Sequence, residues 1–321
     1  LISELRSDGG LFSVFATTIR VHLTDVKAPY TINIKGPYKA YNYKYESEIV
    51  SALTNETVMV VEHRLGLKVN NVGIYKEGIV FETADGFILN GKEYYGSLKF
   101  IPYKGDMIAI NELNIEDYVK GVLPHEMSPD WPIEALKSQA VAARNYVLTP
   151  RTQAYSEFNV VDSVSSQVYF GANTEEDLST RAVLETDGVL ALYDNMPILT
   201  LYSSTAGGYT ESYAFSFSDP LTKAFPAAHK PYLVAVPDKE EFEKLDNEEK
   251  AKEFYTNKIP SYDVDSPYYR WQKQWAVGEL ENVLKKTLVA QSKTGFINPI
   301  FTQNDDLGRI KDIKVMKRRL N

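Results

Sequence analysis

The pattern of apolar and polar positions divides the chain into a strand-rich first third and a mixed remainder. Between residues 13 and 111, short runs alternate apolar and polar residues and are separated by Gly, Asn and Asp. Such spacing is typical of antiparallel hairpins, and Asn90-Gly91 is the clearest turn signal. We therefore predict a β-rich N-terminal domain or subdomain over residues 1–107.

From residue 111 onwards the apolar positions recur with a helical period. Asn114 followed by two acidic residues is typical of the start of a short helix. The strongest predicted helix runs to residue 148, begins at Pro132 and is rich in Ala and Leu.

Later elements are also marked by the sequence. Thr174 and Asp177 resemble a capping box and Gly188 a helix stop. The predictions here are a helix over 174–187, a hairpin turning at Asp194-Asn195, a charged helix over 242–255 and a last helix over 277–291. Together the elements predict an α+β fold of mostly antiparallel strands with a few packed helices, in which residues 108–321 form the domain that carries the chemistry.

Charge and composition exclude several classes of function. A net charge of −8 and a sequence pI of about 5.2 argue against a nucleic-acid partner and against anionic membranes. The absence of cysteine excludes disulfides, thiol catalysis and thiolate metal sites. The chain starts at Leu1 rather than Met, so we expect an N-terminal signal or membrane anchor upstream and an extracytoplasmic location. It ends at Asn321 on a strand-like alternation, so we expect the C-terminal end to be truncated.

The segment GVLPHEMSPDW, residues 121–131, holds the pair His125-Glu126. In a zinc protease a second His follows four residues after the first on the same helix. Position 129 is Pro, and further prolines stand at 124 and 132. The sequence therefore predicts a proline-bounded turn rather than that helix, and neither a metal nor a cofactor.

The helix that follows carries two cations near its apolar face. At about 100° per residue, Lys137 and Arg144 fall inside or beside the arc of Leu136, Ala140 and Val147. Burying a cation is unfavourable without a partner, so this face meets a carboxylate or the polar groups of a ligand. Alternatively, both stems lie along the core while their charged ends reach water. The sequence leaves both interpretations open.

Glu126 is the acidic residue with the most suggestive setting, because it precedes this helix in a constrained segment. A partly shielded carboxylic acid can act as a general acid. Glycoside hydrolases normally use two carboxylates, and Asp162 is only a distant second candidate. A single Glu is better suited to a reaction whose nucleophile belongs to the substrate.

The chain from about residue 108 to 275 resembles the family of stage II sporulation protein D and the amidase enhancer. The motifs that carry the resemblance are Tyr-x-x-Gly-Val from Tyr118, Pro-x-Glu-Met from Pro124, Trp-Pro-x-Glu-Ala-Leu-Lys from Trp131 and Gln-Ala-Val-Ala-Ala-Arg from Gln139. SSQVYFG at 165–171 and LYSSTAGGYTES at 201–212 follow in the family's order.

The resemblance implies a lytic transglycosylase that cleaves peptidoglycan glycan strands, stripped of stem peptides, between N-acetylmuramic acid and N-acetylglucosamine. Glu126 would protonate the glycosidic oxygen and then accept the proton of the muramoyl 6-hydroxyl, closing a 1,6-anhydro ring. The substrate-binding residues implied are Lys137, Gln139, Arg144, Tyr169, Tyr202, Ser203 and Ser204, with His125 as a flanking contact.

Two features depart from the family's pattern. Asn145 stands where the family commonly has Ser or Thr, and relatives that bind zinc use a Cys that is absent here. The long N-terminal β-rich segment is more similar to the amidase-enhancer branch. A non-catalytic, wall-binding enhancer of an N-acetylmuramoyl-L-alanine amidase, acting with that amidase or other septal wall proteins, is therefore an alternative, as is a two-carboxylate hydrolase.

Overall fold

The computed structural model describes residues 17–44, 48–52, 56–70, 73–149, 157–219, 221–239, 247–270, 301–304 and 310–313. The chain divides into two compact units, Leu1–Tyr202 and Ser203–Asn321.

Two large β-sheets form most of the described part of the first unit. Its strands are β1 (Thr18–Leu23), β2 (Tyr30–Ile34), β3 (Tyr38–Asn42), β4 (Glu48–Ala52), β5 (Glu56–His63), β6 (Gly66–Val69), β7 (Gly73–Tyr75), β8 (Ile79–Thr83), β9 (Phe87–Leu89), β10 (Lys92–Tyr94), β11 (Ser97–Tyr103), β12 (Asp106–Asn114) and β13 (Val160–Val161). One sheet has the order β13-β1-β12-β11-β8-β3-β4 and the other β10-β9-β2-β5-β6-β7. Neighbouring strands are antiparallel except β1 and β13, which are parallel.

Alternating side chains of both sheets face one shared core, as the sequence pattern predicts. In β2, Tyr30, Ile32 and Ile34 are buried while the residues between them are exposed. Tyr30 packs against Phe100 of the other sheet with ring centroids 4.7 Å apart. The Asn90-Gly91 turn joins β9 to β10 with positive φ at both residues, which confirms that prediction.

Three helices pack on one another and extend the same core: α1 (Ile115–Glu126), α2 (Ile133–Leu148) and α3 (Asp177–Glu185). The Asn114 side chain accepts a hydrogen bond from the Glu116 N–H at 2.8 Å and caps α1 as predicted. The predicted capping box of α3 is not formed: Glu176 is its N-cap, and Thr174 donates to the carbonyl of Gly171.

The predicted domain boundary at 107/108 falls inside β12. That strand pairs with β1 and β11 and leads directly into α1. Because strands and helices share one core, the β-rich segment is continuous with the helices, and the first compact unit extends to Tyr202. The α+β class is confirmed.

The remaining elements are short. The predicted hairpin is formed by β14 (Leu192–Tyr193) and β15 (Met196–Pro197), with positive φ at Asp194 and Asn195. The second unit contains α4 (Tyr213–Ser216), α5 (Glu248–Thr256), β16 (Phe301–Asn304) and β17 (Ile310–Ile313). The predicted helix over 277–291 lies outside the described residues. Within the described part of the chain, every helix is too short or too polar to cross a membrane.

Candidate functional site

Glu126 is the last residue of α1, and this corrects the prediction of a proline-bounded turn. The helix continues through Pro124 and His125 before ending at Glu126. Proline lacks the N–H that would bond to the carbonyl four residues earlier, but only two helical residues follow it. A zinc protease needs a second His at position 129 on the same helix, but residue 129 is Pro and lies beyond the end of α1.

The carboxylate of Glu126 is half-buried and held by the chain segment that follows β13. Its Oε1 accepts a hydrogen bond from the backbone N–H of Val168 at 3.0 Å. A backbone donor cannot change rotamer, so it fixes the position of this oxygen more firmly than a flexible side chain would.

Tyr202 is the predicted site residue that the structure brings to Glu126. Burial raises the pKa of the Tyr202 hydroxyl, the hydrogen bond from Gln167 lowers it, and the Glu126 carboxylate raises it further. Tyr202 therefore keeps its proton at neutral pH. The Gln167 Nε2 donates to the Tyr202 hydroxyl oxygen at 2.9 Å.

His125 packs beside Glu126 against an aromatic ring. Its imidazole lies edge-on to Phe170, with centroids 4.7 Å apart, and its buried Nε2 has no hydrogen-bond partner among the described residues. Burial lowers the pKa of His125. The ring is therefore neutral at neutral pH, and its role as a substrate contact stays a prediction.

Arg144 is buried and paired with a carboxylate in the structure, and its role as a substrate contact stays a prediction. Its side chain is 0% exposed, and Nε and Nη2 donate to the two carboxylate oxygens of Glu116 at 2.8 and 2.6 Å. Its Nη1 donates to the carbonyl of Val189. The carboxylate partner was one of the two interpretations left open by the sequence.

Lys137, the other cation of α2, also pairs with carboxylates. Its Nζ lies 2.8 Å from Glu134 and 2.7 Å from Glu185 of α3. The hydrogen bonds that Lys137 donates to these two carboxylates, Glu134 first and then Glu185, raise its pKa. The amine is only partly exposed, and its proposed contact with substrate stays a prediction.

Tyr169 and Gln139 lie in the interior of the first unit. Tyr169 is 1% exposed, donates to the Asn111 side chain at 2.8 Å and packs against Gly121 of α1. Its predicted contact with substrate stays a prediction. Gln139 is 8% exposed, and its buried Nε2 meets no hydrogen-bond partner in the part of the chain that the structure describes.

Ser203 and Ser204 begin the second unit and are exposed. The loop that contains them is held by its own unit. The Asp263 carboxylate accepts hydrogen bonds from the N–H groups of Ala206 and Gly207, both at 2.7 Å, and Arg270 donates to the Gly207 carbonyl at 2.8 Å. The structure thus gives the loop a fixed backbone, and the serines remain predicted contacts.

Asp162, the distant second acid, is 7% exposed and accepts hydrogen bonds from the backbone N–H and the hydroxyl of Thr24. It therefore holds β1 and is not free for catalysis. In the described ranges, no three His, Asp or Glu side chains form a group that could hold a metal ion.

Two buried polar residues, Gln167 and Asn145, were given no structural role by sequence reasoning. Gln167 is fully buried, and its Oε1 accepts from the Tyr118 hydroxyl at 3.1 Å. Asn145 exchanges hydrogen bonds with the backbone of Ala191 and donates to the carbonyl of Ile198. The place of Gln167 in the SSQVYFG motif could have marked it as a candidate site residue, but the sequence does not show that its side chain is buried.

Comparisons with known proteins agree with this architecture. Residues 103–193, which include α1, α2 and α3, match the family model described as stage II sporulation protein. Residues 103–193 therefore form a segment of the stage II sporulation protein family, to which the similarity with stage II sporulation protein D and the amidase enhancer also points.

Three relatives illustrate the extent of similarity. An uncharacterised protein of Brachyspira hyodysenteriae is 66% identical over 196 residues, covering 60% of this chain and 53% of that protein. The amidase enhancer of Bacillus subtilis is 30% identical over 230 residues, covering 67% and 30%. Stage II sporulation protein D of Bacillus subtilis is 30% identical over 205 residues, covering 59% and 51%. The chain thus spans about half or less of these relatives.

Proposed function

We propose that the chain contains the catalytic part of a peptidoglycan lytic transglycosylase, active in sporulation or cell-wall remodelling, in which Glu126 is the general acid and base. The observation that carries the proposal is the setting of Glu126: half-buried at the end of α1, bonded to the Val168 N–H and adjacent to the Tyr202 hydroxyl. A general acid needs this combination of fixed position and partial shielding.

The proposed reaction uses one carboxyl group twice. Glu126 transfers its proton to the glycosidic oxygen as the bond to the muramic acid C1 breaks. The 6-hydroxyl of the same muramic acid then bonds to C1 and returns its proton to Glu126. The product carries a 1,6-anhydro ring, no water is consumed and no second carboxylate is required, which fits the structural role of Asp162.

A second candidate function is that of a non-catalytic amidase enhancer. It is favoured by the 30% identity with the protein of that name over 67% of this chain. In this case the chain would bind the glycan and increase the activity of a cell-wall amidase without cleaving the strand. Either function would place the protein outside the cytoplasm, where peptidoglycan lies.

Product analysis distinguishes these functions. Denuded glycan strands are incubated with the protein, and the fragments are examined by mass spectrometry. Lytic transglycosylation gives 1,6-anhydromuramoyl ends, whereas a two-carboxylate hydrolase gives reducing ends. An enhancer gives intact strands but faster release of stem peptides when an N-acetylmuramoyl-L-alanine amidase and intact peptidoglycan are added.

A further inference from the structure

Gln167 is a fully buried amide that bonds to tyrosines on both sides. The Tyr118 hydroxyl donates to Gln167 Oε1 at 3.1 Å, and Gln167 Nε2 donates to the Tyr202 hydroxyl oxygen at 2.9 Å. Nε2 also faces the carbonyl of Ala143 at 3.5 Å. Both Tyr118 and Gln167 are 0% exposed, so water does not compete for these bonds.

The direction of these hydrogen bonds is determined by chemistry. The Ala143 carbonyl can only accept, so the NH₂ end of the Gln167 amide faces it and the carbonyl end faces Tyr118. The Tyr202 oxygen consequently accepts a hydrogen bond from Gln167. The proton of Tyr202 must then point to another acceptor, and the Glu126 carboxylate is the neighbouring group that can only accept when ionised.

The neighbouring residue completes the arrangement. Val168 follows Gln167 in the chain, and its backbone N–H donates to Glu126 Oε1 at 3.0 Å. One short segment therefore holds Glu126 through its backbone and Tyr202 through a side chain.

We infer that Gln167 is a positioning residue, whose amide sets Tyr202 as a hydrogen-bond donor to Glu126. The carboxylate that forms after the first proton transfer would thus be held by two donors, the Val168 N–H and the Tyr202 hydroxyl. The catalytic meaning of this arrangement rests on the proposed function, whereas the hydrogen-bond arrangement itself can be tested without any activity.

The test is carbon-13 NMR of the free protein labelled at glutamate side chains and recorded at one neutral pH, with the Glu126 signal assigned by its loss in Glu126→Gln. The chemical shift of a carboxylate carbon depends on the hydrogen bonds that its oxygens accept. We therefore expect the Glu126 carboxylate signal to move from its wild-type position in Tyr202→Phe, which keeps the ring but removes the donor. Gln167→Met, which keeps the side-chain size but removes the donor, should move it in the same direction.

Tyr118→Phe is the matched control. It removes a hydroxyl from the other end of the same chain of bonds but leaves the bond between Gln167 and Tyr202, so the Glu126 signal should stay at its wild-type position. If Gln167→Met fails to fold in a thermal scan, Gln167→Leu takes its place. An unchanged Glu126 signal in Tyr202→Phe or in the folded Gln167 variant, or an equal displacement in Tyr118→Phe, would overturn the inference. The absence of glycan cleavage by the wild type would overturn the proposed function alone.

Discussion

Arg144 donates two parallel hydrogen bonds to Glu116, from Nε at 2.8 Å and from Nη2 at 2.6 Å. The guanidinium is fully buried and also bonds to the Val189 carbonyl. This pair connects α1 to α2 and to the turn after α3. It places the helix that ends at Glu126 against the rest of the first unit.

Removing one member of this pair should destabilise the protein strongly. Arg144→Met leaves the Glu116 carboxylate without its partner, and loss of a buried pair's partner costs about 3 to 5 kcal/mol. The measurement is the free energy of unfolding in urea. The double variant Arg144→Met/Glu116→Leu should lose less than the sum of the single changes, because no unpaired charge remains. An Arg144→Met protein of wild-type stability that no longer binds glycan would instead make Arg144 a substrate contact.

Asn145 should contribute to stability through the backbone it holds. Its side chain exchanges hydrogen bonds with Ala191 and donates to Ile198, so Asn145→Ala removes the acceptor of the Ala191 N–H and the donor to the Ile198 carbonyl, two partly buried backbone groups. We expect a loss of about 1 to 3 kcal/mol in the same urea experiment. Asn145→Ser, which keeps one polar group, should lose less. A variant with alanine that is as stable as wild type would show that water replaces these bonds without penalty.

Gly121 is required by close packing rather than by backbone conformation. A Cβ at this position of α1 would lie 2.6 Å from the Tyr169 ring and 2.9 Å from the Gly171 carbonyl oxygen. Alanine is a better helix former than glycine, yet Gly121→Ala should lower the melting temperature because overpacking costs about 1 to 3 kcal/mol. Combining it with Tyr169→Leu should produce less than the summed loss. A higher melting temperature for Gly121→Ala would show that the segment at 169–171 moves aside.

The stability of the fold should decrease in mild acid partly because of His125. Burial lowers its pKa below the ordinary value of 6.5, so below that pH the unfolded chain binds more protons than the folded one. The contribution of neutral His125 to the free energy of unfolding is fully present above pH 6.5 and is lost as the pH falls through the folded-state pKa. His125→Phe should show a smaller decrease between pH 7 and 5. His22, whose pKa is also lowered by burial, should account for a remaining part, and parallel curves for wild type and His125→Phe would contradict this role.

The sequence allowed the fold class to be predicted because its signals are local. The alternation in β2, the Asn90-Gly91 turn and the Asn114 cap each depend on neighbouring residues. The domain boundary could not be predicted in this way, because the pairing of β1 with β12 brings together residues about 90 positions apart. Only that pairing reveals that strands and helices share a core.

In the candidate site, too, local motifs were predictable whereas contacts between distant residues were not. Glu126 and Tyr202 were identified from motifs, and the structure places them together. The cations of α2 were recognised as unusual, but Glu116 and Glu185 could not be assigned as their partners, since each lies in another helix. Pro124 was taken to end α1, although a proline in a last turn removes only one hydrogen bond.

Glycan cleavage by wild type and by Glu126→Gln tests the central proposal most directly. Equal amounts of both proteins, with Glu134→Gln as a control that changes an exposed carboxylate on the neighbouring helix, are incubated with denuded glycan strands, and 1,6-anhydromuramoyl ends are counted by mass spectrometry. We expect these ends from wild type and Glu134→Gln, and a decrease of at least about 100-fold with Glu126→Gln. The same yield of anhydro ends from Glu126→Gln and wild type would show that Glu126 is not the acid and base of this reaction.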